Sequence, residues 1–500
     1  MSEVPDGVEM SSVSRKIRPS ATMMITRDGS NGVEVLLGRR AESMPAFPGY
    51  WAFPGGGLSR VDKLAVEELE QLDGPNAAAF AAIMREIVEE LGFACVDGKI
   101  IVVDDAARSL VVADKANWLP QVKQGNIPCD TSGIRHISSR TTPPFGPVLF
   151  ENTFLHIHGG SSQEVPQPSI VGQTEFVEFT WQSADQLLLK WKAHEMKIAP
   201  PVVTLMMQLK RTLAQFGGDM DSSAEEMEKR QIGRRSILFA YGVEVVPVKT
   251  ATLPPADHTN SYLIGDPEGD FVLVDPAARM REGMEDLAVA VERHNGNLLA
   301  IVFTHPHSDH LGDFDLLREA FDVPIWGSQQ TSEQIPCQRI LHDGEILQLG
   351  EQKWQVLQTP GHHPGHICLL GDAGLVAGDM VAGIGTILIP PSEGDMDQYL
   401  QQLQRLIDLK PHLIFPSHGP VIPLPEKKLK YYLQHRAARH QRVLDAVAAG
   451  NNKLAQISIV AYQDSPDAHP LLAQDQTLSH LLSHQRDGKV VEEDHNWKIV

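Results

Sequence analysis

The stretch Leu298-Leu-Ala-Ile-Val-Phe-Thr-His305-Pro-His307-Ser-Asp309-His310-Leu-Gly-Asp313 decides what the second half of this chain is built for. The apolar run 298–303 reads as a buried strand, and four potential ligands follow it within six residues. With 21 histidines in 500 residues, such a cluster has chance odds of roughly a few in a thousand, so a polar turn of capping residues is the weaker explanation. Downstream, His362 in LQTPGHHPGHICLL, Asp379 in LVAGDM and His418 in LIFPSHGP each close an apolar strand. Strand ends converge on one rim of a sheet, so these groups are expected to meet. Imidazole nitrogens and carboxylate oxygens suit a borderline ion such as zinc, and seven of them suffice for two ions with a carboxylate between. Two divalent ions lower the pKa of a shared water from about 15.7 toward about 7.

These residues resemble the metallo-beta-lactamase superfamily, in its glyoxalase II and lactamase-beta-2-like branch, over about 240–500. The resemblance implies an αββα sandwich and two zinc ions. It makes His305, His307 and His362 ligands of one ion, Asp309, His310 and His418 ligands of the other, and Asp379 the bridge, with Asp309 a catalytic candidate. Asp275 in FVLVDP matches a strand-end aspartate of structural use. Where relatives show TPGHT, this chain has His362-His363, and either could be the third histidine; His362 keeps the spacing, which leaves His363 and His366 supporting or structural roles.

Outward from this centre, the length predicts two to four domains, each able to bury a core. Hydrophobic residues at 42% and charged residues at 21% exclude disorder. The net charge of −21 excludes a broad attraction to nucleic acid or anionic lipid, so any polyanion must be bound locally. Cys95, Cys129, Cys337 and Cys368 lie far apart with no CxxC, against both a disulfide framework and a zinc ribbon. The N-terminus has no apolar signal region and no run is long enough to span a membrane, so a cytoplasmic enzyme without membrane partners is expected. The order of elements predicts an α+β multidomain chain: a flexible N-terminus at 1–17, a first domain at 18–215, a linker or solvated helix at 216–238, a second domain at 239–424 and a mostly helical segment at 425–500 ending in a short hairpin.

The first domain carries Arg85-Glu86-Ile-Val-Glu89-Glu90-Leu-Gly92-Phe93 at the end of an Ala-rich helix from 77 to 91. Glu86, Glu89 and Glu90 stand at i, i+3 and i+4, so three carboxylates share a helical face; the repulsion is tolerable where hard cations sit among the oxygens. An exposed acidic helix is the plain alternative. PGGG precedes, and the nine residues are similar to the second half of the Nudix box. That resemblance implies an α/β/α sandwich in which Glu86, Glu89 and Glu90 coordinate Mg²⁺ or Mn²⁺, Glu86 acts in catalysis and Arg85 orients a glutamate. The family's earlier glutamate falls on Ala77, and a charged insertion follows Gly57. RPSAT at 18–22, NWLP at 117–120 and APP at 199–201 resemble the CoA-diphosphatase branch, which implies a nucleoside-diphosphate-linked substrate such as CoA.

The helical tail holds KKLKYYLQHRAARHQR at 427–442, six cations without an acid. Arg436 and Arg439 are candidates to grip a phosphate-bearing substrate, and Tyr432 to stack a base, set against a merely solvated charged face and a core tyrosine. Tyr432, His435 and Arg436 match the winged-helix-like tail of lactamase-beta-2-like relatives, among which is an endoribonuclease for single strands. The whole predicts a bifunctional metal-dependent hydrolase of small anionic thioesters, esters or phosphodiesters and of nucleoside diphosphate derivatives. The alternative is a single-strand endoribonuclease whose Nudix portion only senses a ligand.

Overall fold

A computed structural model describes residues 16–144, 148–172, 175–229 and 236–500. Residues 1–15 of the expected flexible N-terminus lie outside it, as do 230–235 of the expected linker. Of the described residues, 16–229 with 238–241 form one compact unit, and 236–237 with 242–500 another.

In the first unit, Ile17–Gly29 and Gly32–Arg40 make a hairpin with Gly29 opposite Gly32, and Ile17–Gly29 also runs parallel to Leu149–Ser161. Arg135–Thr141, Trp51–Ala52, Gly55–Gly57 and Phe176–Ser183 complete this seven-stranded sheet. Helix Ala77–Leu91 lays Ala81, Ile83, Ile87, Val88 and Leu91 into one core with Met23, Ile25, Leu36 and Leu155. Gly92 stops it in the left-handed region at φ 75°, open to glycine at little cost, with its N–H back on the last turn. Two polar stretches are helical. The charged insertion after Gly57 folds as helix Arg60–Glu68, and the polar stretch after Phe216 contains helix Met220–Lys229, which buries Met220, Ala224 and Met227. Apolar residues at every third or fourth position were enough for a one-sided contact.

A buried histidine in this sheet gives one testable consequence. His156 is 3% exposed, shares a 2.8 Å hydrogen bond with Thr26 Oγ1, and is pushed down to about 3 by burial, with His158 and Arg135 adding to it. An unfolded histidine titrates near 6.5, so below that pH the unfolded chain takes up a proton the folded one refuses, and stability falls with pH. Between pH 6.5 and 5 this costs about 1.5 kcal/mol. Urea unfolding of wild type and His156→Gln should show their stability difference changing by that amount over this interval; a constant difference would refute the assignment.

The second unit stacks helices on two sheets. Val243–Lys249, His258–Gly265 and Asp270–Val274 are antiparallel neighbours, and Asn297–Val302, Ile325–Gly327 and Arg339–Ile340 continue in parallel. Helices Arg281–Glu292 and Phe314–Ala320 bury Met284, Leu287 and Leu317 against this sheet. In the other sheet Ile346–Leu349, Gln352–Gln358, Ile367–Gly371 and Gly374–Gly378 pair antiparallel in sequence, and Ile414–Pro416 joins parallel to the last. Helix Met396–Leu409 covers it with Tyr399, Leu403 and Leu406. The tail contributes helices Pro425–Ala448, Leu454–Ala461 and Pro470–Arg486 and the hairpin Val490–Glu493 with Asn496–Ile499. Among the described residues no helix is long and apolar enough to cross a membrane.

Candidate metal centre

Five strands of the second unit end within a residue or a few of a polar group. Asp275 follows Asp270–Val274, His305 follows Asn297–Val302, His362 follows Gln352–Gln358, Asp379 follows Gly374–Gly378 and His418 follows Ile414–Pro416. The short helix Ser308–Leu311 then turns Asp309 and His310 back to the same place. His305, His307, Asp309, His310, His362 and Asp379 are at most 3% exposed, and His418 is 5% exposed. Among the described residues, ligand atoms lie within 4.8 Å of one another in His305, His307 and His362, in His305, His310 and Asp379, and in Asp309, His310 and His418.

The hydrogen bonds around these rings decide what the cluster can hold. His307 Nε2 donates to Glu393 Oε1 at 2.7 Å, His362 Nδ1 to the Leu388 carbonyl at 2.7 Å, His310 Nδ1 to Asp275 Oδ2 at 2.9 Å and His418 Nδ1 to the His258 carbonyl at 3.1 Å. Thr304 Oγ1 donates to Asp275 Oδ2 and so accepts from His305 Nδ1 at 3.0 Å. Each ring spends its outer proton, so in the neutral form each inner nitrogen carries a lone pair. His307 Nδ1 then stands 2.9 Å from His305 Nε2 and 3.0 Å from His362 Nε2, three acceptors facing one point. Nitrogens around a tetrahedral ion at ~2.0–2.1 Å would be about 3.3 Å apart, close to this spacing. His310 Nε2 and His418 Nε2 face Asp379 Oδ1 at 3.5 and 3.4 Å, and His418 Nε2 faces Asp309 Oδ2 at 3.5 Å. These gaps exceed the ~2.7–2.9 Å of a charge-assisted hydrogen bond. The donor set fits cations.

The electrostatics agree. Burial and the neighbouring histidines hold His305 well below its ordinary value. Burial also opposes the charged forms of His310 and His418, yet Asp379 and Asp309 overrule it and raise both, His418 to about 9. A field that recruits protons to two buried imidazoles attracts divalent cations in the same way.

The geometry separates the three histidines of the 362–366 segment. His362 joins His305 and His307. His366 Nε2 accepts from the Asp379 backbone N–H at 2.9 Å, which fixes the residue it precedes in space, while His363 Nδ1 accepts from Gly365 N–H at 2.9 Å and its ring, pushed down to about 4 by burial, lies beside Glu393. Asp275, at φ 46°, accepts from Thr304 N–H and Oγ1 and from His310, so it braces the site from outside. Glu393 and the Leu388 carbonyl were not anticipated from the sequence, because a loop residue far along the chain leaves no spacing signal.

In the first unit, Arg85 is 1% exposed and forks onto Asp62, Nε to Oδ1 at 2.8 Å and Nη2 to Oδ2 at 3.0 Å, while Nη1 reaches Glu86 at 2.9 Å and Glu89 at 3.0 Å. Glu90 Oε2 accepts from Gly55 N–H at 2.9 Å. Burial pushes Glu86 up to about 7 against the pull of Arg85, and burial with Glu86 raises Glu90 well above the carboxylate range. The Gly56 backbone passes so near that a Cβ there would meet Glu86 Oε1 at 2.4 Å, so any larger residue would displace this carboxylate. Ala77 is buried, and Asp62, which was not singled out from the sequence, is the buried carboxylate that takes the Arg85 fork.

The tail residues take a different place from that expected. Arg436 and Arg439 are 2% and 4% exposed and donate to Ile387 O and Gln476, and to Ala461 O and Asp464 respectively. Both guanidiniums are buried and spend donors on internal acceptors, so neither belongs to the exposed basic face. Tyr432 is buried, its hydroxyl between Ala382 N–H and Gly385 O, which leaves Tyr431 the exposed member of the pair. His440, His484 and Asp487 also gather, but the two rings stack at 3.6 Å with planes 27° apart and Asp487 is paired with Lys489. Lone pairs of near-parallel rings do not converge on one ion.

Residues 254–336 and 329–418 match the metallo-beta-lactamase superfamily. The chain is 27% identical over 248 residues to Beta-lactamase-like protein 2 homolog of Drosophila melanogaster, covering 46% of this chain and 84% of that protein. It is 32% identical over 171 residues to hydroxyacylglutathione hydrolase of Bdellovibrio bacteriovorus, covering 32% of this chain and 67% of that one. Of solved structures, a beta-lactamase domain protein from Burkholderia ambifaria is similar at TM-score 0.48 and 22% identity, over 53% of this chain and 93% of its own. A NUDIX hydrolase from Alicyclobacillus acidocaldarius is similar at TM-score 0.35 and 24% identity, over 39% and 92%.

Proposed function

We propose that this chain, which belongs to the metallo-beta-lactamase superfamily, is a binuclear metal-dependent hydrolase. The observation that carries the reading is the inward lone-pair set of five histidines facing Asp309 and Asp379. His305, His307 and His362 would hold one ion, Asp309, His310 and His418 the other, with Asp379 between, and zinc suits this mixture of nitrogen and oxygen. Bound cations would supply Lewis acidity and a more acidic water at neutral pH. The protein's own part is preorganisation: Glu393 and the Leu388 carbonyl fix the tautomers of His307 and His362, Asp275 fixes that of His310, and His366 holds the Asp379 backbone. Asp309, buried beside His418, would accept a proton from the attacking water.

The substrate class we favour is an acyl thioester or ester of glutathione or CoA type. A relative named hydroxyacylglutathione hydrolase supports it, and the burial of Arg436 and Arg439 takes two of the six cations of 427–442 off the surface that a polyanion would meet. Metal analysis of the full chain should return two zinc equivalents in the second unit, and a panel of acyl thioesters should be hydrolysed in preference to single-stranded RNA. Cutting of RNA with no thioester turnover would replace this reading with the endoribonuclease one, in which the three helices and hairpin of 425–500 serve as a winged-helix-like tail.

For the first unit the proposal is a Nudix hydrolase of a nucleoside-diphosphate-linked compound, CoA-like in the simplest case. Glu86, Glu89 and Glu90 would receive Mg²⁺ or Mn²⁺, and Glu86, which burial pushes up to about 7, would serve in proton transfer near neutral pH. Glu89→Gln in the full chain is expected to cut magnesium-dependent release of phosphate products at least about a hundredfold. Ligand binding without any such release in wild type would make this unit a sensor instead.

A further inference from the structure

The last helix of the tail, Pro470–Arg486, turns one face to the loop that follows the second metal group. Gln476, Ser479, Ser483 and Arg486 recur at intervals of three and four, which is one side of a helix. All four make polar contacts along 389–397. Gln476 Nε2 donates to the Ile389 carbonyl at 3.0 Å, Ser479 Oγ donates to the same oxygen at 2.6 Å, Ser483 donates to Asp397, and Arg486 donates to Asp397 at 2.7 Å and Asp395 at 3.1 Å. Gln476 and Ser479 are each 5% exposed.

One bond in this row acts on the metal centre through a single rigid piece. Ile389 N–H donates to Gln476 Oε1 at 3.3 Å, and the Leu388 carbonyl accepts from His362 Nδ1 at 2.7 Å. That N–H and that C=O belong to the same planar peptide unit and point to opposite sides of it. Gln476 therefore grips the back of the peptide plane whose front sets the tautomer and direction of His362. Arg436 donates to Gln476 Oε1 and to the Ile387 carbonyl, which fixes both the amide and the preceding peptide.

We propose that Gln476 is a positioning residue of the metal centre, acting on His362 through the Leu388–Ile389 peptide. The inference rests on the binuclear reading, and it makes the tail a support of the metal centre from behind as well as an appended module. The test is zinc affinity of the full chain, read by competition with a chromophoric chelator. Gln476→Ala, or Gln476→Met where the alanine variant does not fold, should weaken zinc about tenfold, in the range of outer-shell substitutions. Gln476→Glu keeps the acceptor for Ile389 N–H and should recover most of that loss. Thr477→Val removes a buried bond of the same helix, Thr477 Oγ1 to Ala473 O at 2.7 Å, and should leave affinity unchanged while lowering the melting temperature. Wild-type affinity in Gln476→Ala and Gln476→Met, no recovery in the glutamate variant, or an equal loss in Thr477→Val would overturn the inference. His362→Ala in the same assay tests the underlying reading: if it still binds two zinc ions tightly, the binuclear site itself is misplaced.

Discussion

Asp379→Ala is expected to abolish hydrolysis by the second unit, by at least about a thousandfold or ~4 kcal/mol of transition-state stabilisation, with the fold retained. Asp379 faces both ligand groups with its carboxylate: Oδ1 stands 3.5 Å from His310 Nε2 and 3.4 Å from His418 Nε2, and Oδ2 3.7 Å from His362 Nε2. On the binuclear reading, its removal takes a shared carboxylate from between the two histidine sets, so the affinity of each set for a cation falls together with the other. The fold survives because Asp379 contributes to it through its backbone, whose N–H donates to His366 Nε2, and alanine keeps that bond. The buried carboxylate is held low by His418 and His310 against the cost of burial; without it those two histidines lose the largest of the charges that raise them, which lessens the opposition to burial. Turnover, zinc stoichiometry and the melting curve of metal-free protein measure the three claims separately. A variant that keeps two zinc ions and near-wild-type turnover would remove Asp379 from the centre.

The parts of this centre that could be read from sequence are those whose chemistry is local. His305 to His310 fall within six residues behind an apolar strand, and His362, Asp379 and His418 each sit where a strand must end, so strand geometry carries them to one rim. What was not legible depends on how distant segments close. Glu393 lies 86 residues from His307, and Asp62 lies 23 residues from Arg85 across an insertion of free length. The basic run at 427–442 was only partly legible for a related reason. Counting charges registers Arg436 and Arg439 as unopposed, but their partners include the carbonyls of Ile387 and Ala461, which carry no formal charge and appear in no tally. The exposed cations Lys427 and Lys430 on the same helix keep the solvated-face reading for the rest.

Arg85→Ala is expected to destabilise the first unit by about 3–5 kcal/mol, the range for breaking a buried ion pair from one side. The guanidinium is 1% exposed and Asp62 is fully buried, so the substitution leaves a carboxylate in the interior with only Ser59 N–H and Ser59 Oγ still donating to it, at 2.6 and 2.8 Å. Glu86 and Glu89 lose the same partner at once. Both already lie above the ordinary carboxylate range because burial outweighs the attraction of Arg85, so removing that attraction raises them further and the variant's unit becomes relatively more stable as pH falls. For a unit of this size the loss amounts to roughly 10 °C in melting temperature. Arg85→Lys keeps a cation but not the planar fork that spans Asp62, and should fall between wild type and alanine. The decisive comparison is Arg85→Met with Asp62→Leu. If the cost lies in stranded charge rather than in lost volume, taking both charges away together restores much of the stability that either substitution alone removes. A loss below about 1 kcal/mol in Arg85→Ala, or a double variant no better than the worse single one, would show that this network does not hold the carboxylate helix in place.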